Sequence, residues 1–332
     1  MKIQSYNEWD PLKSVIVGTA TNANFPSDKL FQVQMSQAGW TESPPPIGPV
    51  AQKIIDETNE DLDMLCITLA NLGTTVYRPE PVNFQWTDGQ YAYCPRDNLL
   101  VVGDKVIEAP MSVRARQHEA TCYREVKRKA ILSGVKWIAA PAPDLYLSEN
   151  IAADGKFSLT NREPIFDAAN IARFGRNLLY LVSSSANRRG ADWLQSVLGN
   201  DYEVHITDVY NSAHIDSTIV PIDEDYVVLN ADRVKEDGLP WFIKSMNKIW
   251  ITDDMIVPQD FTDYPYASKW IAINMLSVGN KTVICDKNQP LIHAELEKHG
   301  FTVVPLELRH ARTLGGGFHC VTLDLYRDVY SS

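Results

Sequence analysis

Asp97-Asn98-Leu99-Leu100-Val101-Val102-Gly103-Asp104-Lys105-Val106-Ile107-Glu108-Ala109 is an acidic residue followed by two short apolar runs joined by a Gly-Asp turn. That pattern predicts a β-hairpin opened by a carboxylate. The arrangement recurs. Asp167 precedes apolar runs at 170–174 and 178–182 around a Gly175-Arg176-Asn177 turn. His214 and Asp216 precede runs at 217–221 and 226–229 around Asp223-Glu224-Asp225, and Ser268 and Trp270 precede runs at 272–276 and 282–285 around Gly279-Asn280. Cys320 leads into 321–325, whose return strand is expected from Val15-Ile16-Val17 near the other end of the chain.

Helical stretches are predicted between the hairpins, at 50–72, 114–133, 190–198 and 289–299, where apolar residues recur at helical spacing or glycine supplies a stop. Each precedes a short apolar run, at 74–77, 136–138, 202–206 and 302–306. The unit is therefore hairpin, helix, strand, used about five times. Such a unit cannot bury its faces alone, and a ring gives each one two neighbours. The expected fold is α/β, with five pseudo-equivalent repeats around a central cleft in one domain covering 1–332. Residues 22–49, rich in Pro, Ser, Asn and Gln, are expected to form a surface loop acting as a lid or an interface arm. In a ring the equivalent strand starts converge, so Asp97, Asp167, His214, Ser268 and Cys320 are expected to meet.

The chain of 332 residues is 45% hydrophobic and 22% charged, an ordinary globular composition. Its net charge of −11 argues against nucleic acid or an anionic membrane as a partner. No apolar run is long enough to span a bilayer, and the first residues lack a signal-peptide core. The five cysteines (Cys66, Cys94, Cys122, Cys285 and Cys320) are scattered without zinc-like spacing, so no metal site and reduced thiols in the cytoplasm are expected.

Near the end of the chain, Gly315-Gly316-Gly317-Phe318-His319-Cys320 places a thiol after flexible backbone, before a predicted strand. Glycines permit close approach to a ligand, and a thiol there suits a covalent catalyst. A buried packing cysteine is the plainer alternative. His319 is expected to be structural, because adjacent strand residues point to opposite faces.

Tyr93-Cys94-Pro95-Arg96-Asp97 with Glu108-Ala109-Pro110-Met111, then Glu163 to Asn170, His214-Ile215-Asp216-Ser217-Thr218, and the Gly315–Cys320 run together resemble the arginine amidinotransferases. That family belongs to the guanidino-group-modifying superfamily of five-bladed α/β propellers, and the likeness spans residues 7–325. It implies a ping-pong reaction: L-arginine donates its amidino group to Cys320, ornithine leaves, and an amine acceptor collects the group. It also implies that His214 and Asp167 are the acid/base and its orienter, that Asp97 and Asp216 grip the guanidinium, and that Arg233 with Ser268 holds the amino-acid carboxylate. Asn211 and Ala213 would lie in the acceptor-dependent loop. Ala213 is smaller than the methionine of the glycine-specific animal enzyme, so the resemblance implies glycine or a secondary-metabolite amine as acceptor, with this loop closer to the secondary-metabolite branch. No cofactor is implied, and a homodimer is the family's common form.

The residue types suit that chemistry. A guanidinium is planar and permanently charged, so binding calls for carboxylates. Ornithine leaves as a neutral amine and needs a proton donor, for which histidine is best matched. A guanidine hydrolase or deiminase using water as acceptor would need the same thiol, imidazole and carboxylates. A binding module on the same ring would not need a nucleophile with its base.

Overall fold

The computed structural model describes residues 1–38, 41–146 and 149–328. Five three-stranded sheets share one plan: an antiparallel hairpin whose second strand pairs in parallel with a third. Leu99–Val102 pairs with Lys105–Glu108, which pairs with Lys136–Ala139. Ile171–Phe174, Asn177–Leu181 and Glu203–Thr207 repeat it, as do Ile219–Asp223, Tyr226–Asn230 and Asn247–Ile251. Leu276–Gly279, Thr282–Asp286 and Thr302–Leu306 form the fourth sheet. The fifth joins the chain ends: Thr322–Arg327 runs antiparallel to Leu12–Val17, with Val15 opposite Asp324, and Thr75–Tyr77 is the parallel third strand.

A parallel third strand requires a crossover, and helices supply it. Gln52–Asn71, Arg124–Leu132, Arg188–Leu198 and Pro290–Lys298 do so, each burying a stripe: Leu62, Leu65 and Leu69 in the first, Val126 and Ala130 in the second, Leu194 and Leu198 in the third, Ile292 and Leu296 in the fourth. In the third sheet the connection contains no longer helix, just the 3₁₀ turn Glu236–Gly238 and the single α turn Trp241–Lys244. The leading strands touch in succession, with Ile171–Phe174 against Ile219–Asp223, that strand against Leu276–Gly279, and Thr322–Arg327 against Leu99–Val102, so the repeat closes on itself. This is the expected pentein-like ring.

Three expectations are corrected. Among its described residues, the segment 22–49 is not irregular surface loop throughout. It carries the helix Lys29–Ser36, capped by the Asp28 side chain, and a short ladder between Asn24–Phe25 and Gly48–Pro49. Leu30, Phe31 and Gln34 are buried, and Phe25 and Phe31 stack on Tyr266 at 5.1 and 5.9 Å. Aromatic burial outweighs the Pro-rich composition. The helix expected over 114–133 is helical in its α form only over Arg124–Leu132; before it lie two 3₁₀ turns, Arg114–Arg116 and Glu119–Tyr123. The tighter turns point Arg116 and Glu119 into the same buried ion pair. The fourth hairpin starts at Leu276 rather than 272, because Lys269–Ile273 is a 3₁₀ turn that ends at Asn274, whose side chain is used in the site.

Beneath the cleft the ring is filled by charge. Glu8 pairs with Arg173 at 2.6 Å and Arg96 at 3.3 Å; Asp324 pairs with Arg96 and Arg173, both at 2.7 Å, and with Arg327 at 2.9 Å. Burial pushes the Glu8 and Asp324 carboxyls up, but the surrounding guanidiniums win and both lie well below the ordinary range. Carboxylates held low contribute stability above their unfolded pKa of about 4. That contribution is lost only as pH falls through the depressed folded values. Asp324→Asn leaves buried guanidiniums uncompensated and is expected to cost about 3–5 kcal/mol. Urea unfolding at neutral pH checks this; a midpoint within error of the parent would refute it.

Candidate active site

One cavity is lined by Asp97, Asp167, His214, Asp216, Ser268 and Cys320, so the five hairpin openings meet as the ring requires. Asp97 sits in the single turn Pro95–Asn98, where proline occupies a first-turn position that needs no N–H donor. Its Oδ2 accepts from Arg116 Nη1 at 2.8 Å. Arg116 is itself forked onto Glu119, with Nε and Nη2 both 2.9 Å from the carboxylate oxygens, and lies over the Tyr91 ring. Asp97 Oδ1 is buried with no hydrogen bond and lies 3.6 Å from His214 Nδ1. Burial raises the Asp97 pKa, and His214 and Arg116 offset this only in part.

His214 lies between two carboxylates. Its Nε2 is 3.1 Å from Asp167 Oδ2, and Asp167 Oδ1 accepts from the Ser112 backbone N–H at 2.9 Å. Burial disfavours the imidazolium, yet the charge of Asp97 and the hydrogen bond to Asp167 outweigh it, and the His214 pKa lies well above its ordinary value. For Asp167, burial is opposed and overcome by His214, leaving that carboxyl below the usual range.

The Cys320 thiol donates to Asp216 Oδ2 at 3.1 Å, and Asn274 Nδ2 donates to the sulfur at 3.2 Å. Asn274 Oδ1 accepts the backbone N–H groups of both His319 and Cys320 at 3.0 Å. Cys94 hydrogen-bonds the same thiol; with burial and Asp216 this pushes the Cys320 pKa well up, although His214 pulls it down. Both shifts run toward a protonated thiol beside a charged imidazole. Asp216 also accepts from His319 Nδ1 at 2.9 Å, and His319 Nε2 lies 3.3 Å from Glu8. Burial opposes ionisation of Asp216, but His319 and His214 hold its pKa down at about 2.

His319 and Cys320 occupy a turn; the strand starts at Thr322. The alternation argument therefore does not apply to them, yet their side chains part: the sulfur faces the cavity and the imidazole joins Asp216 to the buried ion cluster. The glycines serve packing within the protein. Gly315 adopts φ +80°, a Cβ on Gly316 would lie 2.5 Å from Cys94 Sγ, and one on Gly317 would lie 2.7 Å from Asn274 Cβ. Close approach is what they permit, but toward the groups that hold the thiol.

An outer basin adjoins this chamber, and Gln34, Ala38, Ser184, Tyr210, Ser212 and Ser268 line both. Arg233 lies in the basin, donating to Ser268 Oγ at 3.0 Å and Thr218 Oγ1 at 2.9 Å, with its guanidinium 3.8 Å from the Tyr210 ring centre. Of the acceptor-loop residues, Ala213 lines the inner chamber and Asn211 the outer basin. Sequence reasoning missed Arg116 and Asn274. Arg116 reads as one more charge in a basic helix, and Asn274 as one polar residue in an apolar run. Neither carries a local signal for its long-range partner. Among the described residues there is no cluster that could hold a metal ion, and no helix is long and apolar enough to cross a membrane.

The geometry presents carboxylates and a cationic imidazole around a thiol, with a guanidinium at a distance. Its class follows from the fold: DDAH from Pseudomonas aeruginosa superposes with a TM-score of 0.63 over 94% of this chain and 99% of that one, at 14% identity, a likeness of pentein fold alone. No protein-family model matches the chain. Inosamine-phosphate amidinotransferase 1 of Streptomyces glaucescens is 44% identical, covering 98% of this chain and 97% of that protein. The solved inosamine-phosphate amidinotransferase StrB1 of Streptomyces griseus matches with a TM-score of 0.91 at 42% identity, covering 98% and 97%. The mitochondrial glycine amidinotransferase of Xenopus laevis is 35% identical over 97% of this chain and 82% of its own length. The chain belongs to the amidinotransferase family, and it is a transferase.

Proposed function

We propose that the protein moves the amidino group of L-arginine to an amine through a covalent amidino-cysteine on Cys320. The observation that carries this is one cavity holding both Asp97, whose Oδ1 is buried without a hydrogen bond, and the Asp216 carboxylate beside the thiol. Both are acceptors, and a planar guanidinium between them offers matching N–H donors. Arg233 and Ser268 then receive the α-carboxylate of the donor, while Asn211 and Ala213 border the acceptor.

The Cys320 proton passes by way of the Asp216 carboxylate, its acceptor at 3.1 Å, to solvent as the guanidinium binds, the thiolate attacks the guanidinium carbon, and the sulfur regains a proton from solvent when the cycle ends. The C–N bond to ornithine breaks, with His214 delivering a proton to the departing nitrogen and Asp167 holding the ring. An amine then attacks the amidino carbon, loses a proton to His214, and the C–S bond breaks to release the sulfur. Water in place of the amine would give urea beside ornithine, whereas loss of ammonia instead of ornithine in the first step, followed by water, would give citrulline. Labelled arginine incubated with a panel of amines, including glycine and amino sugars, tests the reading. Ornithine plus a guanidino product is expected, and citrulline with ammonia as the sole products would overturn it.

The thiol is too basic to attack without help, and the substrate supplies it. A unit charge ~4 Å away at an effective dielectric of ~20 is worth about 4 kcal/mol, roughly three pKa units. Iodoacetamide is therefore expected to alkylate Cys320 slowly in the free enzyme and faster with guanidinium ion bound. Peptide mapping measures the rate; no acceleration, after correction for steric blocking with a neutral urea, would count against substrate activation.

A further inference from the structure

Four side chains face the Cys320 sulfur: Asp216, His214, Cys94 and Asn274. The reactive form is the thiolate, so a group that stabilises negative charge on that sulfur bears on both half-reactions. Asp216 takes the thiol proton at 3.1 Å and faces the sulfur as a like charge once that proton has gone. His214 gives its own proton to the departing nitrogen. Cys94 is itself titratable, and its S–H is free to rotate. Asn274 differs from all three: its amide does not titrate, and Nδ2 lies 3.2 Å from the sulfur.

Four hydrogen bonds fix that amide. Oδ1 accepts the backbone N–H groups of His319 and Cys320, both at 3.0 Å, while Nδ2 donates to Asp216 O at 3.1 Å as well as to the sulfur. Both lone pairs and both amide hydrogens are therefore used. Turning the amide over would set its N–H groups against those of the turn and its oxygen against the Asp216 carbonyl, so the donor edge is held toward the sulfur. Asn274 is 2% exposed and directly follows the 3₁₀ turn Lys269–Ile273. Gly317 lets the nucleophile's turn close over it, since a Cβ there would lie 2.8 Å from Asn274 Oδ1 and 2.9 Å from the Asn274 carbonyl oxygen.

We infer that Asn274 is a catalytic residue, its amide the fixed hydrogen-bond donor to the Cys320 thiolate both when the sulfur attacks arginine and when it is released. This rests on the transfer reading above. In the first half a sulfur lone pair forms the S–C bond, and the C–N pair leaves with the ornithine nitrogen, which takes the His214 proton. In the second an amine forms the new C–N bond, gives a proton to His214, and the C–S pair returns to sulfur. Negative charge sits on the sulfur before the first step and after the second, and a donor already in place meets it without reorganisation. A hydrogen bond to the charged form favours that form.

Asn274→Ala tests this, with Asn274→Ser, which keeps a hydroxyl in the turn but removes the amide N–H groups, measured beside it. Loss of the charge-assisted bond is expected to leave about tenfold less thiolate at a given pH below the thiol's titration midpoint. A more basic thiolate is the better nucleophile and regains part of that factor, so iodoacetamide should alkylate Cys320 at least about threefold more slowly. Guanidinium affinity, measured by calorimetry, should stay within about threefold of the parent, as the carboxylates that bind it are untouched. Acid-quenched mass spectrometry should show both formation of the arginine-derived adduct and its discharge by ornithine slowed by at least about threefold. Alkylation that slows less than this overturns the inference. So does slower alkylation with a larger loss of guanidinium affinity, because the turn has then moved. Slower adduct formation with unchanged discharge overturns it as well, since a donor to the thiolate acts on both halves. If the parent forms no adduct with arginine, the transfer reading falls, and the alkylation rates still decide whether Asn274 stabilises the thiolate. Should Asn274→Ala not fold, Asn274→Ser decides alone by the same thresholds.

Discussion

Cys320→Ser is expected to lower transfer by at least about 10⁴-fold, because a serine hydroxyl in the same place is neither acidic enough nor nucleophilic enough to accept the amidino group. The surrounding contacts should persist: a hydroxyl can still donate to Asp216 and accept from Asn274, so folding and arginine binding are retained. Two measurements separate loss of chemistry from loss of structure. Calorimetry should show arginine binding to the variant. Acid-quenched mass spectrometry should show the parent, but not the variant, carrying the extra mass of one amidino group after mixing with arginine. Residual turnover within tenfold of the parent would remove Cys320 from the reaction path. An adduct mapped to Cys94, the buried thiol beside it, would move the chemistry to that sulfur.

The second large effect is expected at His214. His214→Asn should cost about 10²–10⁴-fold in turnover, the range for loss of a positioned acid/base group. Its sign with pH follows from the site. Asp97 and Asp167 hold the imidazole charged well above its ordinary pKa, despite burial. The proton donor is therefore present through neutral pH and is lost only as pH rises through the elevated value. The parent's turnover should fall on that alkaline limb, and the variant's residual rate should lack it. Stability follows the same direction. A raised histidine pKa stabilises the fold fully below the unfolded value near 6.5, and the contribution fades as pH rises through the folded one. A donor whose leaving group departs without needing a proton should lose less in the variant than arginine does. Equal losses for both donors would mean that His214 positions the substrate rather than protonating the leaving amine.

These predictions depend on groups that reach the site by different routes. Asn274 illustrates one route: a single side chain holds the Cys320 backbone, its sulfur and the carbonyl of Asp216, at 3.0, 3.2 and 3.1 Å. Arg116 illustrates another, orienting Asp97 from a 3₁₀ turn nineteen residues later. Local pattern cannot reveal either, because an asparagine or arginine in a short segment has many satisfactory partners and the chain's path selects one. The 29–36 helix was hidden for a related reason. Its flanking prolines signal loop, while the aromatic stack on Tyr266, more than two hundred residues away, decides that it is ordered and roofs the cavity.

What the order of amino acids determined alone is the repeated unit and the residues that open it. Apolar runs of period two, turn residues between them and helical stretches between hairpins are local properties, and closure into a ring follows because no unit can bury both faces by itself. That is enough to bring Asp97, Asp167, His214, Ser268 and Cys320 together. Only the tertiary structure decided the state of the groups so gathered: a thiol kept neutral by Cys94, burial and Asp216, an imidazole kept charged between two carboxylates, and one carboxylate oxygen left without a donor. Those states arise from distances of a few ångströms between segments far apart in the chain, in a medium where water no longer screens them.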